Sequence, residues 1–180
     1  MSERLNLQSL SGLWLIINNK VYDVSSFRDH PGGYDLFEKN RGLDATIEFT
    51  KANHSSDALS DMGKYFIGEV PDITQAELAL HKSEDSAWMA LFNKVYDVTH
   101  FTAHPGGHEI LVDHSGKEST KAFEDIDHSL SAKSDLAKYF IGNYIPGPES
   151  KNSKSAPNYL VILAVVLAAS AILIRYILVN

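Results

Sequence analysis

The residues best placed to do chemistry in this 180-residue chain are histidines, and only some of them. Eight are present, at positions 30, 54, 81, 100, 104, 108, 114 and 128. The phrase NKVYDVSSFRDHPGG at 19–33 returns as NKVYDVTHFTAHPGG at 93–107, and at that offset His30 maps onto His104 and His54 onto His128. Each pair therefore consists of an HPGG histidine and a second one 24 residues later, from 30 to 54 and from 104 to 128. Proline disfavours the helical conformation of the residue before it, so His30 and His104 are held extended. Gly32, Gly33, Gly106 and Gly107 remove side chains that would obstruct a close approach and permit positive φ. A lone histidine at a turn is ordinarily a satisfied structural residue. Two copies that keep both histidines, while most other surface positions differ, point instead to a paired ligand.

Zinc fits this set poorly. It takes three or four protein ligands, often thiolates, whereas each copy offers two shared histidines and the chain has no cysteine. His100, His104 and His108 follow an i, i+4 rhythm, but Pro105-Gly106-Gly107 interrupts any helix there. Their first and third members face Ser26 and Tyr34 in the other copy, so His100, His108 and His114 read as surface residues.

The elements that must position the paired histidines repeat as well. Without gaps, residues 11–70 match 85–144 at 25 of 60 positions. Each copy opens with a β-rich run (WLIINNKVYDV; WMALFNKVYDV) whose interior suggests a hairpin turn. HPGG follows as a loop. A helical stretch comes next, with Gly42 or Gly116 as its expected C-cap. Another short helix carries Thr46–Phe49 or Thr120–Phe123. Beyond the second histidine, Ala58 and Met62, or Ala132 and Leu136, share one helix face. A closing strand KYFIG ends the copy. The mixture predicts an α+β fold. The stretch ITQAELALHKSED, a strand then a helix, opens only the second copy. The first begins at the counterpart of Gln75 and lacks this edge strand.

Both copies resemble cytochrome b5 haem-binding domains. The residues that carry the likeness are VYDV, Phe27, HPGG, GLDATIEF, NHSSDA and KYFIG in the first copy. In the second they are VYDV, Phe101, HPGG, GKESTKAF, DHSLSA and KYFIG. The resemblance implies His30 and His54, and His104 and His128, as axial ligands of two b-type haems, one per domain. It places Pro31, Gly32, Gly33, Leu36, Phe37 and Phe49 around the first haem, and Pro105, Gly106, Gly107, Ile110, Leu111 and Phe123 around the second. Two residues, rather than the family's usual three, separate Phe27 from His30 and Phe101 from His104, which shortens that loop. Asn53-His54-Ser55 also spells a glycosylation sequon, coincidental in a cytosolic ligand loop.

The expected organisation is two tandem cytochrome b5-like domains, 1–71 and 73–146, a flexible linker 147–157, and a transmembrane tail anchor over 158–179. From Leu160 to Ile174 the chain carries no charge, and about 20 apolar residues suffice to cross a bilayer. With no apolar run at the N-terminus long enough for a signal peptide, the domains should face the cytosol. Without a strongly basic tail, the endoplasmic reticulum is favoured over the mitochondrial outer membrane. The net charge of −7 argues against nucleic acid and for basic protein partners. Two imidazoles fill both axial positions of an iron, which leaves one-electron transfer and no open site for oxygen. The resemblance thus implies an electron carrier, not an enzyme. Its donor would be an NAD(P)H-dependent flavin reductase, and its acceptor a membrane oxygenase, desaturase or P450. The alternative is a haem-binding module for docking, storage or sensing.

Overall fold

The computed structural model describes residues 4–148. Within them the two copies build two separate antiparallel-based sheets. In the first, β1 (Trp14–Ile17) and β2 (Lys20–Asp23) form a hairpin, and β3 (Phe66–Glu69) pairs with β2 to complete three strands. Asn18 and Asn19 take φ of 50° and 64° at the hairpin tip, the left-handed pair that a two-residue turn needs to match strand twist. Between β2 and β3 lie α1 (Asp35–Lys39), α2 (Thr46–Lys51) and α3 (Ser56–Met62). Ser55 caps α3 by accepting from the Ala58 N–H, so the residue after the second histidine starts the next helix.

The second copy adds an edge on each side. β4 (Asp72–Thr74) and α4 (Gln75–Leu78) precede β5 (Lys82–Ser83), β6 (Ser86–Leu91) and β7 (Lys94–Asp97). α5 (His108–Asp113), α6 (Thr120–Asp125) and α7 (Leu130–Asp135) then lead to β8 (Phe140–Ile145). The strand order is β4-β8-β7-β6-β5, with β4 parallel to β8. Both sheets carry the same register shift, at Val21/Tyr22 and at Val95/Tyr96. The expected opening strand and helix of the second copy are present, and among the described residues the first copy shows no counterpart.

The hairpin of each sheet is packed on both faces. On the site face of the first copy, Leu13, Leu15, Ile17, Tyr22 and Val24 pack with Phe27, Phe37, Phe49 and Tyr65. On its rear face, Leu7, Ile16, Val21 and Val70 pack with Leu5, Trp14 and Phe140. The second copy closes its own rear face with Ile73 and Leu78 from β4 and α4. The first instead uses Leu5 and a 3-10 turn at Leu7–Ser9, plus a phenylalanine lent by the second copy. Among the described residues no further strand joins this sheet. The rear face that β4 and α4 help to close in the second copy is closed in the first by side chains.

One expectation changes. Gly42 does not cap α1, whose C-cap is Asn40. At φ +72° its N–H donates instead to the Trp14 carbonyl at 2.7 Å. Gly116 does the same to Trp88 at 2.7 Å. These glycines join helix to strand, and the link continues as Ile16 N–H donates to Leu43 and Ala45 N–H to Ile16. The start of α2 is thereby tied to β1. Among the described residues no helix is long and apolar enough to cross a membrane, and the apolar run at 158–179 lies outside them.

Candidate functional site

The first copy brings its two shared histidines face to face. HPGG is a tight turn in which the Gly33 N–H donates to the His30 carbonyl at 2.9 Å, repeated by Gly107 and His104 at 2.9 Å. The two glycines serve different ends. Gly33 and Gly107 take φ of +92° and +90°, where any Cβ is strained. Gly32 is required by space, because a Cβ there would sit 2.9 Å from His30 Cε1 and 2.9 Å from Leu36 Cδ1. At Gly106 the corresponding contact with His104 Cε1 is 3.1 Å. The second histidine of each copy follows a short helix, α2 or α6, and is held against it. His54 stacks on Phe49 at 4.3 Å, and His128 on Phe123 at 4.0 Å.

Ring centres of His30 and His54 are 6.2 Å apart, those of His104 and His128 6.3 Å, with mutual tilts of 38° and 40°. Two imidazoles bound through Nε2 to opposite sides of one metal have ring centres about 6.3 Å apart, given a metal–nitrogen bond of about 2.0 Å and a ring radius of about 1.15 Å. The spacing therefore admits one metal atom between the rings and leaves no room for a bridging water.

In all four histidines Nδ1 meets a backbone carbonyl. His54 Nδ1 lies 3.2 Å from the Phe49 carbonyl, and His128 Nδ1 2.9 Å from that of Phe123. His30 Nδ1 is 3.3 Å from the Gly33 carbonyl, and His104 Nδ1 3.2 Å from that of Gly107. A carbonyl can only accept, so these contacts are met by the Nδ1-protonated tautomer, whose Nε2 keeps its lone pair. The Gly106 N–H also lies 3.2 Å from His104 Nδ1, but only the Nδ1-protonated tautomer satisfies the Gly107 carbonyl. Such a carbonyl anchor orients a metal-binding imidazole and raises its basicity. Among the described residues no third metal-binding side chain joins either pair.

The other expected site residues surround these rings. Phe37 lies 4.7 Å from His30, centre to centre, and Phe49 backs His54. Leu36 and Ile110 are exposed at 44% and 47%, beside the first HPGG glycine of each copy. Leu111 is buried where Phe37 is half-buried, so the second site has an aliphatic wall where the first has an aromatic one. Pro31, Pro105 and the HPGG glycines form the exposed rim. Phe27, Phe101 and the KYFIG tyrosines, which the sequence marked only as motif residues, form an aromatic backing shared by both copies. Phe27 packs edge-on to His30 at 5.7 Å and stacks on Tyr65 at 5.2 Å. Phe101 packs on His104 at 5.7 Å and on Tyr139 at 4.9 Å. All four residues recur at the 74-residue offset, which is the signal that could have found them. Of the remaining histidines, His100 is exposed as expected. His108 and His114 are half-buried, and His108 is fixed by the Phe101 carbonyl at 3.3 Å.

The family model described as Cytochrome b5-like Heme/Steroid binding domain matches residues 2–71 and again 74–145. The chain belongs to the cytochrome b5-like family. A cytochrome b5 of Rhizopus stolonifer is 37% identical over 117 residues, covering 57% of this chain and 89% of that protein. One from Drosophila melanogaster is 39% identical over 93 residues, covering 51% and 69%. Among solved structures, the cytochrome b558 of Ectothiorhodospira vacuolata, a prokaryotic homologue of cytochrome b5, is 38% identical. It aligns with a TM-score of 0.39 over 41% of this chain and 98% of its own. These cytochrome b5 relatives carry the name of an electron carrier and not of a catalyst, in agreement with the expectation for this chain.

Proposed function

We propose that this cytochrome b5-like chain is a membrane-tethered electron carrier that holds one haem b in each copy, between His30 and His54 and between His104 and His128. The observation that carries this reading is the pair of ring separations, 6.2 Å and 6.3 Å, each with both Nδ1 atoms engaged and both Nε2 atoms free. Haem bound there supplies reversible one-electron chemistry at iron. The chain's own residues do the rest. With haem bound, His30 and His54, or His104 and His128, would hold its iron between them and leave no position for oxygen. The backbone carbonyls hold the ligand rings in one orientation, so little has to move between redox states. Phe37 and Phe49, with Leu111 and Phe123, give each site an apolar wall. The family description also covers steroid binding, but opposed imidazoles with free lone pairs serve a metal and not a sterol.

The same reading assigns 1–71 and 73–146 to the two haem domains, 147–157 to the tether and 158–179 to an anchor in the endoplasmic reticulum membrane. An NAD(P)H-dependent flavin reductase would be the donor, and a membrane oxygenase, desaturase or P450 the acceptor. Acidic residues near the second ligand, Glu48 and Asp57 in one copy and Glu124, Asp125 and Asp127 in the other, would steer basic partner faces toward the haem edge.

The test is enzymatic reduction of the purified full chain by an NADH-dependent flavin reductase, followed by reoxidation on adding a membrane acceptor. The expected result is conversion of both haems to the reduced spectrum and return of the oxidised one, slowed by salt. Haem that no reductase can reduce would leave a docking, storage or sensing module in its place.

A further inference from the structure

We infer that the two sites are coupled, and that Phe140 is the positioning residue through which the second copy sets the order of the first copy's ligand helix. The inference rests on the haem-binding reading above and extends it to a communication between the two pockets.

The path begins at the second site. His104 packs edge-on against Phe101, and Phe101 stacks on Tyr139. Tyr139 ends a 3-10 turn, Leu136–Tyr139, and the next residue is Phe140, which opens β8. Phe140 faces two ways. It packs in the site-side cluster of its own copy, edge-on to Tyr96 at 6.1 Å. It also packs against the rear cluster of the first copy, with Leu7, Ile16, Val21 and Val70. Ile16 carries the path onward, because its carbonyl accepts from Ala45 N–H at 2.8 Å and its N–H donates to Leu43 at 2.9 Å. Those residues lead directly into α2, which bears Phe49 and ends just before His54.

A second link runs beside the first. Lys94 Nζ lies 5.3 Å above the Phe140 ring and 3.5 Å from Asp44 Oδ2. Asp44 in turn accepts from the Thr46 N–H at 3.2 Å and the Thr46 hydroxyl at 2.6 Å, holding the first turn of α2. Both links end on the helix that positions the second ligand of the first copy.

The internal repeat provides the contrast. Phe66, Tyr65 and Lys20 are the counterparts of Phe140, Tyr139 and Lys94, and Lys20 likewise sits 6.0 Å over Phe66. Phe66 is 44% exposed and enters neither core cluster of its copy. The cross-copy contact is therefore made by one copy only, and it replaces rear-face packing that β4 and α4 provide in the second copy. Filling the second site restrains His104 and, through Phe101 and Tyr139, the position of Phe140. Linkage is reciprocal, so filling the first site must favour the second by the same factor.

The test is the rate at which the first copy loses haem to excess apomyoglobin, followed by absorbance in the full-length chain. The loss phase of the first copy is identified by its absence in the His30→Ala, His54→Ala double variant. Emptying the second site with His104→Ala and His128→Ala is expected to speed loss from the first copy about tenfold, within the usual range of such couplings. Phe140→Ala should give the faster rate whether or not the second site is filled, and Phe140→Leu should restore part of the dependence. Tyr139→Leu keeps every ligand and should act in the same direction by a smaller factor, so the test does not hang on a variant that could unfold. A purely structural Phe140 predicts no dependence on the state of the second site. An unchanged rate on emptying that site, or a dependence that survives Phe140→Ala, overturns the coupling. A chain whose absorbance shows no haem in either copy fails the reading of the preceding section and overturns the coupling with it.

Discussion

The two copies present nearly the same site on one face of their sheets and solve opposite problems on the other. Around the ligands, ring separations agree within 0.1 Å and each Nδ1 meets the same backbone carbonyl. Behind the sheet, the second copy seals itself with Ile73 and the fully buried Leu78, while the first relies on Leu5, Leu7 and the second copy's Phe140. The geometry of a ligand pair is set by a turn, a helix end and two carbonyls. The stability of the scaffold that presents it is set elsewhere, and in this chain it is partly shared.

The largest effects should come from the ligands themselves. His54→Ala and His128→Ala are each expected to abolish the six-coordinate spectrum of one copy and leave the other intact, as read by absorption of the haem-loaded chain. Loss of both signals from one substitution would mean that the copies are not separate sites.

Next in size are the rear cores. Truncating a fully buried leucine costs about 3 kcal/mol, so Leu78→Ala should lower the unfolding free energy of the second copy by about that amount. Phe140→Ala should lower the stability of both copies, by about 2–3 kcal/mol, because its ring belongs to two clusters. Denaturant titration followed by hydrogen exchange would separate the copies. A first copy indifferent to Phe140→Ala would remove the comparison's main asymmetry.

A smaller difference is expected at the turns. Alanine at Gly32 meets His30 and Leu36 at 2.9 Å, whereas at Gly106 the nearest atom is 3.1 Å away and Ile110 stands at 3.4 Å. Overpacking of this kind costs about 1–3 kcal/mol. Gly32→Ala should thus weaken haem retention more than Gly106→Ala. Equal losses in a haem-release assay would show that the clash is absorbed in both.

The smallest effect is electrostatic and belongs to the first copy. Burial pushes the Asp44 carboxyl upward, but hydrogen bonds from the Thr46 side chain and backbone and the nearby Lys94 ammonium outweigh it and hold the group below the usual carboxylate range. A lowered folded value contributes stability that is complete above the unfolded pKa of about 4 and disappears as pH falls through the folded one. Acid should therefore loosen the Lys94 link, and Asp44→Asn should remove that part of the pH dependence of the melting temperature. The pair is half-exposed, so the change will be slight. An unaltered acid profile in Asp44→Asn would exclude Asp44 as its source.

Much of the site was legible in the sequence because its parts are local and repeated. HPGG fixes a turn, and the recurrence of two histidines out of eight selects the pairs. The NNK and FNK tips announce hairpins. What escaped was the work done at a distance. Phe66 and Phe140 stand in the same KYFIG phrase, and nothing local distinguishes a ring left exposed from one that enters a neighbouring core. Gly42 sits where a helix cap belongs, yet its N–H is taken by Trp14, a residue 28 positions earlier, because closing the sheet onto the helix satisfies a buried carbonyl. The carbonyls of Phe49 and Phe123 were invisible for the same reason. Every residue has one, and only the fold decides which of them meets a ligand ring.

The central claim is that each copy holds its own haem between two histidines. The most direct measurement is a titration of the purified full-length chain with haem, read as haem bound per chain together with the oxidised and reduced spectra. Two haems per chain, both six-coordinate and low-spin, is the predicted result. A single haem per chain, or a high-spin signal from either copy, would contradict it.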